Sequence, residues 1–176
     1  MAAAGTAEPV TPSVRRLGSR ALALAGLAVA AAACVVLIAI TVPRLAAADE
    51  HEARRTEVLQ AARQHAVNFT TLDYRTLDRD LERVLRGATG QFRSEFEAGT
   101  TNLSELVTAN KGVSEGEVLE AGIVSDDADS ARVLVVADST VTNTAGPAPR
   151  PRYYRMQMDL VLVRGRWLVS DLQFVG

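Results

Sequence analysis

Cysteine, tryptophan and histidine are almost missing from this chain: among 176 residues there are one, one and two, and aromatics total 5%. The lone cysteine, Cys34, sits inside an apolar run, so no disulfide can staple the rest of the chain and thiol chemistry there is excluded. No spacing resembles a zinc site, a phosphate-cradling glycine loop or a nucleophile elbow, so no cofactor or metal is expected. Charge of one sign is also lacking. A formal net charge of -2 gives no basic excess for nucleic acid, and no aromatics interleave with basic residues in the single-strand-binding manner.

What is present begins with a long charge-free stretch. Residues 21–42 carry no ionisable side chain other than Cys34 and follow directly on Arg15, Arg16 and Arg20, while only Arg44 follows closely behind. As a helix the run would extend about 33 Å, enough to cross a hydrocarbon core of about 30 Å. The arginine excess on the N-terminal side keeps that side in the cytoplasm. The expected organisation is a disordered cytoplasmic tail (1–20), a transmembrane helix (21–43) and an extracytoplasmic domain (44–176), making a single-pass plasma-membrane protein in contact with membrane lipids. A cleaved leader ending at Ala46-Ala47-Ala48 is the competing reading, but its apolar region would be 7–15 residues. A lipid-modified Cys34 would end the apolar stretch, whereas Val35 continues it.

The outer region falls into a helical first half and a strand-rich second half. Val58, Ala62, Ala66 and Phe69 recur at helical spacing, in a helix that can run on from the span past Pro43. Leu77, Leu81, Val84 and Leu85 form one stripe of a second helix, with Thr76 as N-cap and Gly87 as stop. Phe92 and Phe96 share a face of a third, short helix ending near Gly99, and Leu103, Leu106 and Val107 repeat the pattern before Gly112. Strand periodicity follows over 117–125 and 132–141, separated by the polar turn Asp126-Asp127-Ala128-Asp129. In the next strand Tyr154, Met156, Met158, Leu160 and Leu162 point one way, and Tyr153, Arg155, Gln157 and Asp159 the other. A turn at Arg164-Gly165 returns the chain as a final strand, and residues 142–151, with three prolines, read as a loop. The fold class is α+β, with helices packed on a curved antiparallel four-stranded sheet.

Three stretches, Asn68-Phe69-Thr70-Thr71-Leu72-Asp73, Ala88-Thr89-Gly90-Gln91-Phe92 and Gly165-Arg166-Trp167-Leu168-Val169, together with the arginine-flanked span, resemble the actinobacterial Mce-associated membrane proteins. The likeness covers nearly the whole chain. It implies an outer domain like the cone fold of nuclear transport factor 2, and a single-span accessory of Mce transporters, which import lipids and sterols. Mce transporter components would then be the partners.

The cone fold also hosts enzymes, so chemistry has to come from residues. His65, near the edge of the first helix's apolar stripe, would suit a base in a pocket, or is a partly exposed helix histidine. Asp73 and Tyr74 invite comparison with the carboxylic acid and tyrosine of cone-fold ketosteroid isomerases, but Asp73 serves equally as a turn or capping residue. These do not make a catalytic set, and a non-enzyme is expected. Met156, Met158, Leu160 and Trp167 either line a cavity for a lipid or sterol or simply fill the core. The arginines at 150, 152, 155, 164 and 166 cluster along the last hairpin and its preceding loop, as a rim for an acidic partner or as charged strand edges. The expected function is a membrane-anchored accessory subunit stabilising an Mce-type import system. A lipid-handing module, an isomerase- or cyclase-like enzyme and a secretion-apparatus scaffold are the alternatives.

Overall fold

The structure, a computed structural model, describes residues 19–176. The chain divides into two compact units at Ala48 and Asp49. Helix α1 (Ser19–Thr70) contributes to both and runs unbroken through Pro43. Arg15 and Arg16 lie outside the described residues, and so do the side chains of Arg20, Cys34 and Arg44. The expected span, 21–43, is helical in its backbone, but most of its side chains are likewise outside the description. Leu24, Leu27 and Val35 are among those described, and all are well exposed. Among the described residues no helix is long and apolar enough to cross a membrane.

The second unit is built as α+β. Helix α2 (Leu77–Arg86) buries Leu77, Leu81 and Val84 and ends at Gly87. Its acids Asp78 and Asp80 lie in the first turn and Arg83 and Arg86 in the last, each complementing the helix dipole. Helix α3 (Gly90–Ala109) is one helix of 20 residues, which corrects the expected break near Gly99. A glycine inside a helix costs only about 1 kcal/mol relative to alanine, and the packing of Phe92 and Phe96 outweighs that.

The strands are β1 (Leu72–Asp73), β2 (Val113–Asp126), β3 (Ser130–Asn143), β4 (Gly146–Val163) and β5 (Arg166–Phe174), joined in sequence order as a five-stranded antiparallel sheet. The expected four strands become five because β1, pairing Leu72 with Ser114 and Asp73 with Val113, is too short to show any alternation. Register shifts within the β2–β3 and β4–β5 pairs add local bend to the curled sheet. Arg164 and Gly165 both have positive φ, 52° and 75°, the geometry of a two-residue hairpin turn that matches strand twist.

The expected loop at 142–151 is also corrected, since β4 begins at Gly146 and pairs Pro151 with Thr140. β5 ends at Phe174, opposite Met156, so the first ten residues of β4 have one flank without a β5 partner. Pro147, Pro149 and Pro151 are tolerated there because a proline withholds an N–H that an open flank does not need.

The core lies between α1 and the sheet. Val58, Ala62 and Ala66 of α1 meet Val133, Val135 and Ala137 of β3, Met156, Met158 and Leu160 of β4, and Trp167 and Val169 of β5. Two alanines on the buried helix face bring α1 close to the strands. The approach is tightest at Gly116, where an added Cβ would lie 2.0 Å from Thr70 Oγ1. Ion pairs Arg55–Asp126 and Arg63–Glu120 tie α1 along the edge of β2.

Candidate functional site

Met156, Met158, Leu160 and Trp167 all sit in the main hydrophobic cluster, 0, 0, 1 and 6% exposed. They come from the inward face of β4 and from β5, and α1, α2 and Phe92 of α3 supply the opposing side chains. The Trp167 indole N–H is buried without a hydrogen-bond partner among the described residues.

His65 projects from α1 toward β5, with Nε2 2.9 Å from the main-chain oxygen of Trp167. A carbonyl only accepts, so Nε2 carries the proton. Burial holds the imidazole below its usual pKa, the bond to Trp167 opposes that, and the Arg166 charge adds to it. Nδ1 faces Gly87, where an added Cβ would be 2.3 Å away. Gly87 and Thr89 in turn hydrogen-bond Val169 through main-chain atoms. His65 thus joins α1, the α2–α3 turn and β5.

Asp73 is held by Arg75. The guanidinium Nε and Nη2 donate to its carboxylate at 3.0 and 2.5 Å, and the Arg75 main-chain N–H donates at 2.9 Å. These bonds keep the carboxyl below the usual carboxylate range. Tyr74 carries the same guanidinium over its ring at 5.8 Å. Asp73 and Tyr74 therefore share an arginine, and His65 is bonded elsewhere; the structure does not gather the three around one cavity.

The carboxylate that does gather partners is Asp80, 3% exposed. Its Oδ2 accepts from the Asp73 main-chain N–H at 3.1 Å and the Thr76 hydroxyl at 3.0 Å, and its Oδ1 from Arg83 at 2.6 Å. The capping hydroxyl of Thr76 is thus spent on a side chain rather than on the helix amides. A signal existed: Asp80 lies three residues after Leu77 and four before Val84, a charge on the apolar face of α2.

Sequence reasoning also missed an apolar groove. All four phenylalanines of the chain, Phe69, Phe92, Phe96 and Phe174, form one ring cluster with centroids about 6 Å apart. Beside it, Phe69, Leu72, Phe96, Gly99 and Leu103 line a groove of about 320 Å³ with one carboxylate, Glu95, at its wall. Phe96, Gly99 and Leu103 share a face only in an unbroken α3, which explains why a helix stopped at Gly99 concealed the groove.

A relative from Mycobacterium tuberculosis, "Uncharacterized protein Rv1363c", is 32% identical over 166 residues, 92% of this chain. The match spans only 64% of that relative's length. Among solved structures the fold is similar to an IcmL-like type IV secretion system protein from Legionella pneumophila, at 15% identity and TM-score 0.57, over 69% of this chain and 91% of that one. It is also similar to the periplasmic domain of DotI, at 18% identity and TM-score 0.56, over 67% and 92%. A family model matches residues 19–176, and the chain belongs to that family, the Uncharacterized protein Rv1363c/MT1408-like proteins.

Proposed function

We propose that this chain is a non-enzymatic, membrane-anchored assembly domain of a cell-envelope machine, with residues 44–176 outside the cytoplasm. The observation that carries the reading is how the ionisable groups at the candidate positions are used. His65 donates to a main-chain carbonyl, Asp73 is bound by Arg75 and Asp80 by three donors. Side chains of this kind fix a shape rather than await a substrate. The filled interior at Met156, Met158 and Leu160 favours a surface-acting protein over a lipid carrier.

The fold likeness to a type IV secretion system protein supports a structural part in an envelope-spanning apparatus. The finer reading, a nuclear-transport-factor-2-like accessory of Mce-type lipid import, rests on the resemblance at residues 68–73, 88–92 and 165–169. Partner identity separates the two. The test is affinity purification of the full chain from mildly solubilised membranes, with mass spectrometry of co-purifying proteins and lipids. Subunits of one envelope machine, with lower abundance when this chain is deleted, are the expected result. Recovery of the chain with stoichiometric lipid and no such subunits would overturn the reading.

A further inference from the structure

Two exposed features of this chain have complementary chemistry. One is the Phe69–Leu103 groove. Its walls are apolar, and an added Cβ at Gly99 would meet nothing within 4 Å, so the helix is open at that point. One carboxylate, the exposed Glu95, stands at its wall, and Arg93, the only cation on α3, is turned back to donate to the Leu85 carbonyl at 2.7 Å. The groove is therefore apolar with a single carboxylate at its wall.

The other is the proline-bearing start of β4. Tyr153 is 77% exposed, the most exposed large hydrophobic residue described in the chain. It stands on the outward face of β4 with Arg155, which forms no ion pair among the described residues. The main-chain flank here is a poor template for a further strand. Alternate residues point their N–H groups to the same side, so prolines at 147, 149 and 151 strip donors from one flank. Recognition at this segment must run through side chains.

We infer that a second copy of this chain places Tyr153 in the Phe69–Leu103 groove, with Arg155 against Glu95. An aromatic ring buried among phenylalanines and leucines supplies the attraction, as at interface anchors generally. The exposed charges orient the approach more than they hold it. Tyr153 and the groove are different surfaces, so the contact is head-to-tail: each copy offers a donor and an acceptor, and repetition gives a ring or an open row. The contact goes beyond the assembly reading and does not depend on which machine the domain serves.

The test uses the full chain in mild detergent, with self-association followed by analytical ultracentrifugation. Tyr153→Ser removes the donor, and Gly99→Lys blocks the acceptor at a position with open space for a side chain. Each variant alone is expected to self-associate about tenfold more weakly or worse, and the wild type to weaken as salt is raised. Mixing the two variants is expected to restore one intact contact and give a heterodimer that does not grow further. A monomeric wild type, undiminished association of either variant, or no recovery on mixing would overturn the inference. A monomeric wild type that still co-purifies with envelope subunits would sink this contact and leave the assembly reading standing. Self-association without those subunits would do the reverse. Loss of envelope subunits from Gly99→Lys, with self-association unchanged, would assign the groove to a different protein and overturn the inference.

Discussion

The imidazole of His65 donates to the main-chain oxygen of Trp167 across 2.9 Å, linking residues 102 positions apart. The ring lies against Gly87 on its other side, so one side chain connects the first helix, the turn between the next two and the last strand. A histidine that stands out in the sequence as a possible base is a joint in the fold.

Gly87→Ala tests this joint. The new Cβ would stand 2.3 Å from His65 Nδ1, so either the ring or the turn must move, and the turn is held by Val169. Overpacking of this kind costs about 1–3 kcal/mol. Urea unfolding should show that loss, and a His65→Ala background should shrink it, giving a non-additive double-mutant cycle. Equal losses in both backgrounds would mean that the ring is not what the methyl group meets.

The same histidine sets a pH dependence. Its folded pKa lies below the ordinary imidazole value, chiefly through burial, so the unfolded chain takes up the proton first as pH falls. The stability it contributes is complete above the unfolded pKa of about 6.5 and declines as pH drops below that toward the folded value. His65→Gln retains an N–H donor without titrating, and its unfolding midpoint should change less than the wild type's between pH 7.5 and 5. Parallel profiles for the two proteins would refute the assignment.

Asp80→Asn addresses the buried carboxylate. The substitution keeps the size and shape but removes the charge that Arg83 approaches at 2.6 Å, and weakens acceptance from Thr76 and the Asp73 amide. Hydrogen bonds to charged groups contribute about 1.5–3 kcal/mol, and the partial exposure of Arg83 places the expected loss at the lower end, about 2 kcal/mol. Denaturant titration measures it. Asp78→Asn, exposed in the same turn, is the control and should change stability by less than about 0.5 kcal/mol.

The contrast between these two acids shows what the sequence could disclose. Periodicity located the stripe Leu77, Leu81 and Val84, the inward row of β4 and the Arg164–Gly165 turn, because each rests on local spacing that the fold preserves. It does not reveal β1, since two residues have no period, or the continuity of α3 through Gly99, since a helix-poor residue shows in the sequence while the packing of Phe92 and Phe96 does not. The proline-bearing start of β4 read as loop because its tolerance depends on where β5 ends, which is a matter of tertiary register. The partners of Asp80 and the grouping of four phenylalanines are likewise contacts between distant segments. Chemistry-bearing residue types were visible in the sequence; whether they were already bonded was not.

That residues 21–42 anchor the chain, and in which direction, is the remaining expectation, and it has a direct measurement. Residues 21–42 hold no Asp, Glu, Lys or Arg, and the charge asymmetry around them comes from Arg15, Arg16 and Arg20 on one side against Arg44 on the other. In intact spheroplasts, added protease should remove a C-terminal tag and spare an N-terminal one, and alkaline extraction should leave the chain in the membrane. Lysine and arginine set orientation while acidic residues contribute little, so replacing the three N-terminal arginines with glutamine should suffice to weaken the bias and give mixed tag protection. A mature chain that starts after Ala46-Ala47-Ala48, read by intact mass, would instead make the apolar segment a leader and release the domain from the membrane. Retention in the membrane with protected N-terminal and accessible C-terminal tags would place the folded domain where an extracytoplasmic assembly needs it.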